Sequence, residues 1–358
     1  MRKIAAIIII FLVFQQCKSD KTEILSTNYI DPKYYLCHYT STPLSVDGVL
    51  DEAAWDSVPW TDEFVDIFME NKLPPVYKTR VKMLWDDKYC YFAAVMEEPD
   101  MMAKFTKRDT VICLENDFEI FIDPNGDNHA YYEFEMNALG TVWDLILTKA
   151  YRDQGIPDNS WDIDGLVTGI KINGTLNDPS DRDSGWVTEI AIPWTAFKDH
   201  AHMPLPPNES EQWRINFLRV EYLPKIVNGK YEKDTSKMTN NLVWTPHHSS
   251  NMHDPESFGI VQFTKKSVGA AQIIPDNSLS ARGILMQIYY AQKKYFTKNK
   301  KWASSLKELG VAVDQDPKLK VVDTFEMTKD GYVATVEIVD GDKSAVWHTN
   351  EFSKLWKD

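Results

Sequence analysis

Between residues 38 and 263 hydrophobic and polar side chains alternate in short runs, the period-2 pattern of strands that bury one face. "TRVKMLWDD" (79–87) and "KYCYFAAVMEE" (88–98) read as a hairpin turning at Asp86 and Asp87. In "DFEIFIDPNGDNHAYYEFEMNALG" (117–140), Phe118, Ile120 and Ile122 share one face of a first strand, and Asp117, Glu119 and Phe121 share the other. On the second strand Tyr132, Phe134 and Met136 are the apolar side, and Tyr131, Glu133, Glu135 and Asn137 the polar side. "GLVTGIKING", "GWVTEIAIPW" and "WRINFLRVEY" add further alternating segments. They are punctuated by the turn "DPSDRDSG" and by "KDHAHMPLPPNESEQ", whose prolines leave little room for a ladder. Many short strands at regular spacing predict a mainly β protein built on a β-sandwich. One short helix is expected at "DEAAWDSV" (51–58), with Asp51 as its cap.

After residue 263 the period changes. Residues 264–282, "TKKSVGAAQIIPDNSLSAR", read as a polar linker, and 283–358 as a small α+β module. Ile284, Ile288, Ala291 and Tyr295 fall on one helical stripe flanked by Leu285 and Phe296. Ser305 with Glu308 is a capping-box pattern closed by Gly310, and "LKVVDTFEMT", "YVATVEIV" and "SAVWHTNEF" follow as strands.

The first residues bear on location. Two basic residues precede an unbroken apolar run from Ile4 to Phe14, too short to span a bilayer and fitting a secretory signal. Cys17 stands just behind it, so residues 1–17 read as a lipoprotein signal with Cys17 as the lipidated residue, and 18–37 as a tether. An ordinary cleaved signal with an incidental cysteine is the alternative. The expected location is exported and membrane-anchored, at the outer membrane or the periplasmic face. The 358 residues carry a net charge of −14, yet from Gly283 onward 12 Lys/Arg balance 11 Asp/Glu. The acidity therefore lies in the larger part, which argues against nucleic acid and suits neutral ligands or cations. Cys37, Cys90 and Cys113 show no metal-ligand spacing; a disulfide between two of them stays open in an oxidising compartment.

The carboxylates of the 117–140 hairpin are the main candidate chemistry. Glu119, Glu133 and Glu135 could act as a glycosidase acid/base pair, contact a polar ligand, or form a solvated face. Asp123, Asn125 and Asp127 alternate around Gly126 as in oxygen-rich calcium loops, although a plain β-turn has the same composition. Calcium is the one cofactor in view. Trp55, Trp85, Trp186 and Trp194 alternate with core positions and read as core. "HHSSNMH" (247–253) reads as a loop near a groove rim. Nucleophile-elbow, P-loop and dinucleotide motifs are absent from the sequence.

Five fragments in order, "VDGVLDEAAWDSV", "VKMLWDDKYCYFAAVMEEPD", "ENDFEIFIDPNGDNHAYYEFEMNALGTVWD", "GWVTEIAIPWTAF" and "NMHDPESFGIVQF", resemble the family 9 carbohydrate-binding modules. The likeness extends to lipoproteins of Bacteroidetes-type bacteria that carry such a domain, and it covers about 38–263. It implies a sandwich that binds sugars without catalysis, in some members with structural calcium. The family's two sugar-clamping tryptophans map to Cys113 or Leu114 and to Met252 and His253, so both rings are lost. Glu119 matches an acidic residue of the binding strand, and Glu133, Glu135 and Asn137 take positions that carry hydrogen-bonding side chains. Arg108 and Arg219 are candidate partners for the negative charge, and Trp143, Trp161 or Trp244 candidate replacements for the platforms. The expectation is a glycan ligand bound at the cell envelope by a chain held to the membrane through its lipid anchor, with an envelope protein as candidate partner for 283–358. A glycoside hydrolase and an assembly lipoprotein that has lost sugar binding are the alternatives.

Overall fold

The structure is a computed structural model and describes residues 22–67, 77–314, 316–341 and 343–358. The apolar run and Cys17 lie outside the described residues. The chain runs through β1 (Glu23–Leu25), β2 (Tyr34–Tyr39), α1 (Ala53–Ser57), β3 (Val65–Asp66), β4 (Thr79–Trp85) and β5 (Tyr89–Met96). Next come β6 (Phe118–Asp123), β7 (His129–Met136), β8 (Val142–Lys149), β9 (Pro157–Asp158), β10 (Val167–Asn173) and β11 (Gly185–Pro193). β12 (Gln212–Glu221), the hairpin β13 (Pro224–Val227) and β14 (Lys230–Lys233), β15 (Asn240–Val243) and β16 (Gly259–Thr264) complete the first part.

The strands join in the order β10-β11-β5-β4-β2-β16-β12-β6-β7-β8-β9, with β15 on β12 and β3 on β15. This continuous ladder folds into a sandwich. Phe92, Met83, Trp85, Trp186 and Ile190 from one half meet Ile120, Phe134, Trp213, Phe217 and Phe263 from the other in a single core. The aromatics pack edge to face, as Trp194 does on Trp213 at 5.7 Å between ring centres. Trp55, by contrast, lies outside that core: with Val58, Leu84 and Tyr91 it closes the back of the first half and donates to Glu189.

Two local expectations change. The first helix spans Ala53–Ser57 with Glu52 at its start, and no side chain caps it, so Asp51 does not serve there. Arg219 points into the space between the halves. It pairs with Glu221 at 2.7 Å and Glu98 at 3.4 Å and donates to Thr79. Because Leu218, not Arg219, lies opposite Glu119, the alternation sends Arg219 to the face away from the acidic hairpin side chains.

The C-terminal part holds α2 (Leu279–Asn299), α3 (Leu306–Leu309), β17 (Val311–Val313), β18 (Leu319–Val321), β19 (Glu326–Met327), β20 (Tyr332–Asp340), β21 (Lys343–Asn350) and β22 (Leu355–Lys357). Ile284, Leu285 and Ile288 of α2 pack on Tyr332, Ala334 and Val336 of the sheet. Ser305 accepts the Glu308 amide and Gly310, left-handed at φ 74°, ends α3. Tyr295 and Ala291 of the expected stripe are only half-buried and Phe296 is exposed. Gln292 is buried instead, bonded to both backbone groups of Ala303.

The stretch expected as a tether is structured from residue 22. β1 pairs in parallel with β17, Leu25 and Ile30 enter the second core, and β2 begins the sandwich at Tyr34. The expected linker shortens too, since β16 ends at Thr264 and α2 starts at Leu279. The second module rests on the β6–β7 loop. Asn128 donates to the Ser353 carbonyl, the Leu355 amide to the Asp127 carbonyl, and Arg282 to the Gly126 carbonyl at 2.5 Å.

Arg219→Ala strands Glu98 and Glu221 as buried carboxylates. The expected loss is about 3–5 kcal/mol of unfolding free energy in urea titrations, against less than about 1 kcal/mol for an exposed pair such as Arg182–Asp100.

Candidate functional site

The outer face of the β12-β6-β7-β8 half carries the acidic side chains. Antiparallel register sets Glu119 opposite Glu135 and Phe121 opposite Glu133, and in each pair both residues point the same way. Asp117, two residues before Glu119, joins them. Phe121, Tyr131, Leu145, Leu147, Leu218, Val220, Met252 and Phe258 form an apolar cluster on this same face. The carboxylates are therefore set into a packed surface and do not line an open floor. Asp117 is 1% exposed, Glu119 2%, Glu133 4% and Glu135 2%. The expected groove floor is corrected on this point: Cys113, Met252, His253 and Phe258 pack over the face.

Oxygens of Asp117, Glu119 and Glu135 lie within 4.8 Å of one another. Backbone donors satisfy part of the set. The Val220 amide reaches Asp117 Oδ1 at 3.2 Å and the Cys113 amide reaches Glu135 Oε2 at 2.9 Å. Among the described residues, nothing hydrogen-bonds the buried Asp117 Oδ2, Glu119 Oε1 and Glu133 Oε2. Burial, then the neighbouring carboxylates, push Asp117, Glu119 and Glu133 well above the usual carboxylate range, and burial lifts Glu135 to about 7. Burial and the same four acids also push the Cys113 thiol up, in keeping with its place as the cover over the cluster.

The other expected site residues separate into two groups. Trp143 stands opposite Glu135 across β7–β8, half-buried, its Nε1 donating to Asn159 at 3.1 Å. His253 Nδ1 meets the Tyr131 hydroxyl at 3.0 Å and its ring packs edge-on to Phe121 and Tyr151; Met252 is buried beside them. Trp143 thus neighbours the acidic cluster, and Met252 belongs to, and His253 packs against, the apolar cluster of the same face. Arg108 does not reach the acids, being held by Asp144 and Asp162. Trp244 is in the inter-sheet core and Trp161 packs on Tyr132 at its rim, so neither is a platform on this face. Asn137 is fully buried: it accepts the Leu139 and Thr141 amides and donates to Phe105 and Glu115, which makes it a turn pin. All three described cysteines are free thiols in this structure, with Cys37 and Cys90 in side-chain contact.

The 123–128 loop spends its oxygens on its own backbone. Asp123 accepts the Gly126 and Asn128 amides, Asn125 the Asp127 amide, and Asp127 the His129 amide. Those are Asx-turn bonds, and the second Asp127 oxygen faces Lys354 Nζ at 3.6 Å. Tyr151 and Tyr222 join the rim without a signal in the sequence, because nothing in their local pattern separates a rim aromatic from a core one. Asp117 is legible, two residues before Glu119.

His247 and His253 are both held neutral, burial lowering each to about 4. An unfolded histidine takes its proton near pH 6.5, so between 6.5 and 4 the unfolded chain binds more protons and stability falls as pH falls. The raised carboxyls act in the opposite sense, so the comparison is with a variant. His253→Gln is expected to lose up to about 3 kcal/mol less than wild type between pH 7 and 4.5, read from urea midpoints at each pH.

Residues 46–266 match the carbohydrate family 9 binding domain-like family. The chain is 24% identical over 189 residues to exoglucanase XynX of Acetivibrio thermocellus, covering 52% of this chain and 14% of that protein. It is 24% identical over 230 residues to endo-1,4-beta-xylanase A of Thermoanaerobacterium saccharolyticum, covering 64% of this chain and 16% of the relative. It thus spans under a fifth of the length of either enzyme. Among solved structures, a family 9 module from Caldicellulosiruptor kristjanssonii in complex with cellotriose is 17% identical, covers 68% of this chain and all of its own, with a TM-score of 0.43. On the match over 46–266, well over half of its residues, this chain belongs to the carbohydrate family 9 binding domain-like family.

Proposed function

We propose that this chain binds a glycan without catalysis, through the outer face of the β6–β8 half, while tethered to a bacterial envelope by lipid on Cys17. The family match over 46–266 is the observation that carries the sugar-binding part. The exposed chemistry of the face agrees with it. Trp143 is partly open with its indole pinned by Asn159, and Tyr151 is 43% exposed. A flat ring held in place offers the surface on which sugar C–H groups stack, each ring contributing about 1 kcal/mol. Glycosidase chemistry is disfavoured, because Glu119 and Glu133 are too deeply buried to flank a glycosidic bond. The envelope tether rests on the apolar run Ile4–Phe14 followed by Cys17.

A second reading is favoured by one observation. The clamp positions hold Cys113, Leu114, Met252 and His253, none of which offers a tryptophan face. On that reading the chain keeps the shell as an assembly lipoprotein and has lost the ligand.

A glycan array followed by calorimetry separates the two. At least one polysaccharide is expected to bind saturably, with Trp143→Ala and Tyr151→Ala each weakening it about fivefold, one ring's worth of stacking. An array without hits decides for the second reading. Separately, Cys17→Ala is expected to move the protein from the membrane fraction to the soluble one; retention in the membrane would remove the lipid tether.

A further inference from the structure

Asp117, Glu119, Glu133 and Glu135 bring four carboxyl groups together on the outer sheet face, each no more than 4% exposed. Among the described residues no lysine, arginine or histidine forms an ion pair with any of them. Other buried acids show what the fold does elsewhere: Asp254 and Glu256 share Arg152, Glu98 and Glu221 share Arg219, and Asp153 holds Lys293. Buried acids without a cation, such as Glu189 and Asp123, have a donor on each oxygen instead. The cluster has neither arrangement. Four buried like charges at contact distance cannot stay ionised unless something positive lies among them.

Two features of the site go beyond acidity. First, Glu133 is not one of the three acids whose oxygens converge, yet its carboxyl contacts that of Glu135 and its Oε2 has no donor. Asp117 Oδ2 and Glu119 Oε1 are orphaned in the same way. Three buried acceptors in one cluster thus have no hydrogen-bond donor among the described residues. Second, the spacing suits an ion. Oxygens on opposite sides of a calcium ion stand about 4.6–5.2 Å apart at ordinary Ca–O lengths, and this set converges within 4.8 Å. All the side-chain donors are hard oxygens, which selects calcium, magnesium or manganese over softer metals.

We propose that this cluster is a cation site, holding one divalent ion of the calcium class between Asp117, Glu119 and Glu135, with Glu133 as a further oxygen donor. The ion sits beneath the short turn Ile112–Leu114, whose Cys113 amide orients Glu135. It ties β6 to β7 and to the covering turn at the positions below Trp143. The site is distinct from the polar loop 123–128, whose carboxylates are already bonded to backbone amides. It stands whether or not the face binds sugar.

The competing state is proton sharing within the contacting pairs Asp117–Glu119 and Glu133–Glu135. Full-length protein stripped with EDTA and titrated with Ca2+, and in parallel with Tb3+ read through tryptophan-sensitised luminescence, distinguishes the two. One ion per chain is expected, with a rise in thermal midpoint. Glu119→Gln and Glu135→Gln are each expected to weaken Ca2+ at least about tenfold while keeping the wild-type circular dichroism, since a neutral amide relieves the repulsion that the ion offsets. Asp127→Asn, in the polar loop, is expected to bind as wild type. Failure of the stripped wild type to bind Ca2+, Mg2+ or Mn2+ saturably would overturn the site. So would binding that survives Glu119→Gln and Glu135→Gln together, or that is lost with Asp127→Asn. No sugar is present in this experiment, so its outcome is independent of the glycan array.

Discussion

The register between β6 and β7 is the constraint on which the rest of this protein depends. With Ile120 opposite Phe134 and Ile122 opposite Tyr132, one face of the pair supplies the sandwich core. The other face is then obliged to carry Glu119, Glu133 and Glu135 together. A slip of one residue would drive the carboxylates into the inter-sheet core and put phenylalanine and isoleucine outside, so core packing and clustered charge are two sides of one arrangement. The same rule on β12 sends Phe217 and Arg219 inward and Leu218 and Val220 outward, which is why this arginine cannot neutralise the acids.

Closure of the outer face turns that charge cluster into a chemical problem. In a half-solvated sheet the acids would be screened and unexceptional. Here Phe121, Tyr131, Leu145, Met252 and Phe258 form a second apolar layer around them, and the turn at 112–114 lies on top. The family's sugar-stacking rings are absent from this cover, while Trp143 and Tyr151 remain partly open beside it. The glycan contact proposed for this face therefore falls on its rim, and the buried acids are left to the proposed cation or to a shared proton.

The second module is continuous with this scheme. Its helix and its last strands seat on the β6–β7 loop and on the Tyr151–Asp153 turn, where Asp153 joins Tyr289, Lys293 and Ser353. The same hairpin whose middle holds the acids thus offers its tip as a docking knuckle. Arg282 and Asn128 explain why the tip is rich in Asp, Asn and Gly: the turn frees the Gly126 and Asp127 carbonyls for the second module while its side chains stitch the loop.

Alternation alone determined the strands, the hairpins and the sandwich, because a period of two leaves few ways to hide Phe118, Ile120, Phe134 and Met136. It determined as well that Asp117, Glu119, Glu133 and Glu135 would share a face. The capping box at Ser305 and the stop at Gly310 were equally local and equally legible. Only the tertiary structure decided that the acidic face is covered, that Trp244 and Arg219 point inward, that Asn137 pins a turn, and that residues 23–25 form a strand with 311–313. The physical reason is one of range. Periodicity reports which side chains travel together, whereas burial of the second face and the choice of ion-pair partner depend on segments far away along the chain, and nothing in a two-residue repeat records them.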